Sequence, residues 1–546
     1  AMTGLVDWAA ARARMVVAFI LLSVAAGVLA YISLPKEGEP DIDIPALFVS
    51  VPFPGISAAD SETLLVKVME QELSGLDGLK TISGTAAENY GGVALEFEFG
   101  WDKTQIIADV RDRMNTAEAK FPQGADKYSV NEINFSEFPI IVIALSGDVP
   151  ERTLLRAAKD LQSRIAALEP VLKAELAGHR DEMLEVLIDP LKLEAYNITA
   201  AELITVVTRN NQLIAAGEVE TASGAFAVKI PSSFNSAAQV YGLPVKVNGD
   251  RAITLGDLAQ INLTFEDPKG TARFNGNSTV AIQVVKRKGF NLIDTSRLVQ
   301  DVVAAEVATW PEPLRRSVSV TASLDQSTNV EGMVRQLEGS VLTAIALVMV
   351  VVLATLGTRS ALLVGFSVPT SFLLTFAFFA VMGISVSNIV MFGLILAVGM
   401  LVDSGIVVVE YADTRIAEGS GPMAAYTEAA KRMFWPIISS TATTLCAFLP
   451  MLFWPGVAGE FMGMLPVTLI FVLSASLLVA LIYVPVVGGV AGRVTRQLES
   501  IAALLRPRAL WLRLILVVVS LCILFTGVAL LLTPRAGTLL PGAVLA

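Results

Sequence analysis

The sequence predicts an α-helical transmembrane bundle of seven spans joined to an α+β domain outside the membrane. Three observations carry that expectation: sparse charge, long charge-free windows, and one long polar stretch between the first two windows. Of 546 residues, 54% are hydrophobic and 17% are charged, where soluble chains carry about a quarter charged. Mean hydropathy is +0.63. The formal charge of −11 argues against a nucleic-acid partner, because such a surface repels phosphates.

A spanning helix needs about 20 apolar residues to cross the bilayer hydrocarbon. Charge is absent from Met15 to Pro35, Gly339 to Thr358, Ser360 to Val402, Met433 to Gly459, Phe461 to Gly492 and Leu514 to Pro534. The third window is too long for one helix and breaks at 383–388, giving spans near 361–382 and 389–410. Lys and Arg near span ends stay in the cytoplasm. Arg12, Arg14, Arg359, Lys431, Arg432 and the arginines of 493–513 flank one set of ends, while 383–388 and 455–460 hold no Lys or Arg. The N-terminus is therefore expected in the cytoplasm and residues 36–338 outside it. A cleaved leader is the alternative for Met15 to Leu34, but the run is long and no small-residue cleavage site precedes Pro35.

Along the outer stretch, Ala46 to Phe53 reads as a strand, Ser57 to Leu73 as a helix capped by Ser57, and 79–84 with 92–99 as a hairpin. Thr104 to Lys120 is helical again. A second unit opens with a strand at Ile140 to Ser146, a helix at Glu151 to Leu168 and a strand at Val171 to Leu176. It resumes with a strand at Thr279 to Lys286, a helix at Leu292 to Ala308 and a strand at Ser317 to Ser323. This order predicts two ferredoxin-like (split β-α-β) subdomains, the second interrupted by residues 181–272. Span seven repeats the pattern of span one, Arg506-Pro507-Arg508 and Thr533-Pro534-Arg535 echoing Arg12-Ala13-Arg14 and Leu34-Pro35-Lys36. The chain then stops about a dozen residues later, which suggests a repeat cut at its second unit.

Chemistry is expected inside the membrane. Asp403 lies within a span, where an ionised carboxylate costs at least about 2.5 kcal/mol, so it must face a protein interior and titrate or find a cation. Small residues Gly393, Ala397 and Gly399 on the same helix allow close packing that holds Asp403 away from lipid. Glu410, near the span end, is better read as an acid reaching water. Ser439, Ser440, Thr441, Thr443 and Thr444 supply hydroxyls for an acid or a water chain, or equally for ordinary helix-to-helix bonding. His179 reads as a solvated loop residue, and Cys446 and Cys522 as packing residues at lipid depth. No acid, base and nucleophile set marks an enzyme, and no metal set appears. Without a phosphate-binding Gly-Lys loop, the energy source is expected to be an ion gradient rather than a nucleotide or other cofactor.

Together the layout of one span, a large outer domain and five spans, with Gly399-Met400-Leu401-Val402-Asp403 and Ile406-Val407-Val408-Val409-Glu410, resembles the resistance-nodulation-division transporters, closest to the proton-driven efflux permeases. Pro40 to Pro45, Pro54-Gly55, Glu70 to Gly78 and Phe448-Leu449-Pro450 match as well. The resemblance implies that residues 1–35 hold span 1, that 36–135 form one periplasmic porter subdomain, and that 136–180 with 273–335 form a second. It further implies a docking-type insertion at 181–272, spans 2–6 over 336–492, a cytoplasmic linker at 493–508, span 7 at 509–535 and a short periplasmic tail at 536–546. It implies a homotrimer of longer chains in the bacterial inner membrane, meeting a periplasmic adaptor and an outer-membrane channel and exporting amphiphilic compounds. Asp403 and Ser404 match the family's proton-relay pair, with Gly399, Thr441 and Thr444 in support. The family has a second aspartate where this chain has Ser404, and its partner lysine belongs to a second half. Phe138 matches an aromatic of the family's substrate pocket, whereas the second expected aromatic falls near Ala177. The rival readings are a protein-export accessory subunit of the same superfamily and a membrane sensor that moves no substrate.

Overall fold

The computed structural model describes residues 4–40, 42, 44–133, 137–211, 214–221, 224–230, 234, 236–249 and 251–505. Among them, six helices are long and apolar enough to cross a membrane. The segment 509–535, read from sequence as a seventh span, lies outside the described residues, as does the tail that follows.

Span 1 (Ala13–Ser33) is preceded by a short helix, Gly4–Ala11. Span 2 (Gln326–Leu356) continues well beyond its charge-free part, because Asp325 caps it by accepting from Ser327 N and its first turns belong to the outer domain. Span 3 (Thr358–Met382) and span 4 (Asn388–Ala417) are separated by a turn in which Gly383 takes φ +69°, the left-handed conformation that glycine adopts without a Cβ clash. Span 5 (Phe434–Phe453) follows a surface helix, Pro422–Arg432, that carries the basic pair expected at this end. Span 6 runs over Gly456–Thr495. Spans 3, 4 and 6 form the packed centre; spans 2 and 5 lie at its margin, with few fully buried residues.

The first outer unit is a four-stranded antiparallel sheet. Its strands are β1 (Ala46–Pro52), β2 (Leu79–Ala87), β3 (Tyr90–Phe97) and β4 (Ser129–Glu132), in the order β2-β3-β1-β4. Helices at 58–73 and Lys103–Glu118 cover one face. Leu47, Val49 and Val51 alternate into the core with Val93, Leu95 and Phe97, against Leu65, Met69 and Met114. Ser57 caps the first helix through Asp60 N, and Asp102 caps the second through Gln105 N.

The second unit repeats that plan. It begins with β5 (Ile141–Gly147), a helix at Glu151–Ala166 and β6 (Val171–Ala177). The insertion then carries β7 (Glu182–Ile188), β8 (Ile214–Thr221), β9 (Gly224–Ile230), β10 (Pro244–Asn248), β11 (Arg251–Thr254) and β12 (Ala259–Phe265), with β7 and β12 paired as its stem. The chain returns through β13 (Arg273–Phe274), β14 (Asn277–Lys286), a helix at Leu292–Thr309 and β15 (Val318–Asp325). In this sheet β6, β14, β5 and β15 stand side by side, all antiparallel, which is the order of the first sheet again. Two arginines fasten the stem of the insertion. Arg180 binds Glu151 through two nitrogens at 2.9 and 2.5 Å, Arg152 binds Glu182 at 2.6 Å, and both guanidinium groups stack on Phe265. His179, beside them, is about three-quarters buried and not the solvated residue expected from sequence; its Nε2 lies 3.4 Å from Asp181.

Close approach of helices depends on glycine at one place above all. A Cβ on Gly27 of span 1 would stand 2.4 Å from the Leu373 carbonyl oxygen of span 3. Overfilling such a contact costs about 1–3 kcal/mol. Gly27→Leu is therefore expected to lower the thermal midpoint of the detergent-solubilised chain by several degrees. Gly339→Ala, where an added Cβ meets nothing within 4 Å, leaves it unchanged or slightly raised. Equal midpoints for the two variants would contradict the packing described.

Candidate functional site

Span 4 is built to be held on one side and left open on the other. Ser387 caps it by accepting from Val390 N. Gly393 and Ala397 turn toward span 6, where a Cβ on Gly393 would touch Leu465 and Thr468 at 3.1 Å. One turn further, the buried hydroxyl of Ser476 on span 6 donates to the Leu401 carbonyl at 3.2 Å. Gly405 faces Ser367 of span 3 at a distance that leaves little room for a side chain. Small residues thus do bring span 4 against its neighbours, as interhelical packing in lipid requires.

Asp403 is not on that face. Phe392, Leu396, Gly399, Asp403, Val407 and Glu410 advance by three or four residues, so they lie in one stripe, and all six are exposed. Gly399 belongs with this stripe: an added Cβ there would meet nothing within 4 Å. The small residues expected to shield Asp403 are divided between the two faces, and within the described chain the carboxylate is uncovered. Asp403 makes no hydrogen bond or ion pair among the described residues. Ser404, next to it, is half-buried.

Thr441 and Thr444 sit on span 5, which packs mainly on span 6 rather than on span 4. Thr444 Oγ1 donates to the Ser440 carbonyl at 3.1 Å and Thr443 Oγ1 to the Ser439 carbonyl at 2.8 Å, so both hydroxyls are held by their own helix. No hydrogen bond joins either of the threonines 441 and 444 to Asp403. Cys446 is exposed on the same span. Phe138 is 56% exposed at the rim of a cavity of about 340 Å³ shared with Glu37, Lys286, Lys288 and Gln326. Ala177 ends β6 opposite Ala281, with no aromatic group at that position.

The structure also assembles polar groups that sequence reading did not join. Where the outer domain meets the membrane spans, a cleft of about 900 Å³ is lined by Leu34, Ile42, Trp101, Lys103, Ile384 and Glu460, among others. Beside it Glu37 accepts from Lys286 at 3.2 Å and from Ser385 at 3.1 Å. Burial pushes the neighbouring Lys36 ammonium below the usual lysine range, against the pull of Asp294 and Glu338. At the opposite end of the bundle Ser360 donates to Asp413, and Arg359 donates to the Gly488 carbonyl at 3.2 Å while stacking on the Tyr426 ring at 5.6 Å. Lys431 pairs with Asp7 there. A charge read as a topology marker, Arg359, is thus also a clasp between span 3, span 6 and the surface helix. The only sequence signal for it was its place between two apolar runs.

The fold and this geometry define a class: a multi-pass membrane protein with a duplicated outer sheet unit inserted between its first and second spans, and a lone acid midway along its fourth. The sequence profile of the AcrB/AcrD/AcrF family matches residues 6–502, and the chain belongs to that family of resistance-nodulation-division permeases of the inner membrane. It is 25% identical over 480 residues to "Multidrug resistance protein MdtC" of Escherichia coli O9:H4 (strain HS), covering 87% of this chain and 46% of the relative. The same figures hold for the protein of that name from Shigella sonnei (strain Ss046), and the Pantoea ananatis (strain AJ13355) protein is 25% identical over 476 residues, 86% and 46% of the two chains. The chain spans about half the length of the curated relatives it matches.

The Tyr426 hydroxyl is fully buried and has no well-formed hydrogen bond among the described residues, with the Arg359 guanidinium 5.6 Å from its ring centre. Burial, helped by Asp413, pushes its phenol up to about 12. A raised value means the fold favours the neutral form, so this stabilisation is complete below pH 10 and is lost as pH rises through 12. Removing an unpaired buried hydroxyl is nearly neutral or stabilising. Tyr426→Phe is therefore expected to match or exceed the native chain in stability at pH 7, and to show a shallower loss between pH 10 and 12 in thermal melts. A clear loss at pH 7 would mean that the hydroxyl has a partner.

Proposed function

We propose that this chain forms the N-terminal half of a proton-coupled exporter of amphiphilic or apolar compounds, with Asp403 as the proton-relay carboxylate and Ser404 as its hydrogen-bonding neighbour. One observation carries the reading: a single acid stands midway along span 4, in a stripe that no described element covers. Hydrocarbon is a poor environment for that acid, so the stripe calls for a covering of protein or water. A second set of spans bearing a cation supplies both, as the family resemblance implies. Proton uptake from one side would neutralise Asp403 and change what the stripe packs against; release to the other side would restore the charge. Such a cycle couples to transport only if the two conformations differ in proton affinity.

On this reading the two sheet units are porter subdomains, at 36–135 and at 136–180 with 273–335, and 181–272 is a docking insertion. Spans 2–6 occupy 336–492, followed by the linker 493–508, a seventh span at 509–535 and the tail 536–546. The relatives named above are multidrug resistance proteins, which supports small amphiphiles as cargo, and the family's assembly supports a trimer with a periplasmic adaptor and an outer-membrane channel. The energy comes from the proton gradient. Gly399 keeps the stripe open beside Asp403, Thr441 and Thr444 stand by to bond a water chain, and Phe138 offers an aromatic face to cargo.

The test is export of a fluorescent lipophilic cation from cells carrying the complete gene from which the chain derives. Asp403→Asn is expected to reduce export to the level of cells without the gene, with membrane insertion unchanged by protease protection. Ser404→Ala retains part of the activity. Native export in the Asp403→Asn variant would end the proposal.

A further inference from the structure

The chain leaving span 1 is stitched to the start of span 4. Val386 N donates to the Pro35 carbonyl at 2.9 Å, Glu37 N to the Val386 carbonyl at 3.0 Å, and Asn388 N to the Gly38 carbonyl at 2.9 Å. The two segments thus pair in parallel, directly ahead of the first turn of span 4. From this short ladder the Glu37 side chain, 12% exposed, reaches two places at once. One oxygen accepts from Ser385 of the 383–388 turn at 3.1 Å, and the other from Lys286 at 3.2 Å. Lys286 closes β14, the strand held between β5 and β6 in the second outer sheet, and its side chain is 9% exposed. The next residue, Arg287, is fixed in turn to the start of β6, its Nε donating to the Val171 carbonyl at 3.0 Å.

Lys36 points the other way. Its ammonium donates to the Tyr31 carbonyl at 2.7 Å and lies over the Tyr31 ring, and the Tyr31 hydroxyl donates to Glu338 of span 2 at 2.6 Å. The Lys36 carbonyl accepts from Leu292 N, where the helix covering the second sheet begins. Two adjacent residues therefore gather span 1, span 2, the head of span 4 and the second sheet.

We propose that Glu37 is the positioning residue through which movement of span 4 reaches the second outer sheet, by its simultaneous bonds to Ser385 and Lys286. The proposal rests on the reading of Asp403 given above. Asp403 lies fifteen residues beyond Asn388, about 22 Å along an α-helix, and a continuous helix carries an axial shift or rotation over that length. An apolar contact at the junction would let the sheet slide over the turn. Two charge-assisted hydrogen bonds on one buried carboxylate hold a direction instead. The competing route is span 2, whose helix runs unbroken from the outer domain into the membrane.

Spin-label distances in the complete protein in lipid nanodiscs separate the routes, with Cys446 and Cys522 replaced by Ser. One pair, at Val381 and Ser278, reads the second sheet against the spans; another, at Thr414 and Val494, reads the opposite end of the bundle. Asp403→Asn, which mimics the protonated acid, is expected to shift both pairs by about 1–2 Å, the scale of helix shifts in switching proteins. With Glu37→Gln added, the Thr414–Val494 pair still shifts and the Val381–Ser278 pair does not. Ser385→Ala, which leaves the ion pair whole and removes one hydroxyl, lowers the outer shift likewise and serves if Glu37→Gln does not fold. Exchanging the pair, Glu37→Lys with Lys286→Glu, restores the outer shift. An outer pair that responds to Asp403→Asn regardless of Glu37 and Ser385 overturns the proposal and assigns the motion to span 2. If neither pair responds in the otherwise native protein, the Asp403 reading fails and the proposal goes with it.

Discussion

A carboxylate halfway along an apolar helix sets the terms for the rest of this molecule. Lipid offers Asp403 no hydrogen bond and no counter-charge, and the energetic cost of leaving it there is of the order of several kcal/mol. The helix that bears it is otherwise committed to packing: Gly393 and Leu401 meet span 6, and Gly405 meets span 3. That commitment uses one face and leaves the acid on the other, in a stripe from Phe392 to Glu410. The helix is thereby held by its back, while its front carries Asp403 at mid-span and Glu410 near the span end.

The outer domain is tied to the head of that helix by hydrogen bonds. Two sheet units of the same strand order stand outside the spans, and the second one, with its inserted stem pinned by Arg152 and Arg180, is joined to the membrane part by buried polar contacts rather than by a flexible linker. The opposite end is clasped as well, through Arg359, Tyr426 and the Ser360–Asp413 bond. Both ends of the bundle are therefore anchored by directional groups, while the middle relies on close apolar packing and a few hydroxyls. On the proposal made above, those constraints are what would carry motion of a span to its ends.

Much of this was legible in the sequence, because it follows from periodicity and local capping. The strands at 46, 141, 171 and 279 and the helices at 58, 103, 151 and 292 fall within a few residues of where alternation, helical spacing and the Ser57 cap place them. The break at 383–388 separates spans 3 and 4 as the charge-free window required. β4 escaped, since four residues with little hydrophobic alternation carry no strand signal until β1 offers them an edge. Span 2 begins earlier than its charge-free window implies, because its polar first turns are helical through contact with the outer domain. The division of Gly393 and Gly399 between opposite faces follows from 3.6-residue geometry, but which face is covered depends on spans 3 and 6. The Glu37–Lys286 contact joins residues 249 apart, and no local pattern announces such a pair.

On the function proposed above, the Asp403 stripe faces protein and water rather than lipid in the intact membrane protein. Spin labels at Leu396 and Val407 measure this directly, by their collision rates with oxygen, which concentrates in lipid, and with a water-soluble nickel complex. Leu362 of span 3, 63% exposed, serves as the lipid-facing standard. A stripe covered by protein and water gives oxygen collision rates at 396 and 407 well below that of 362. Rates equal to it would put the carboxylate's face in lipid and rule out the proposed relay face.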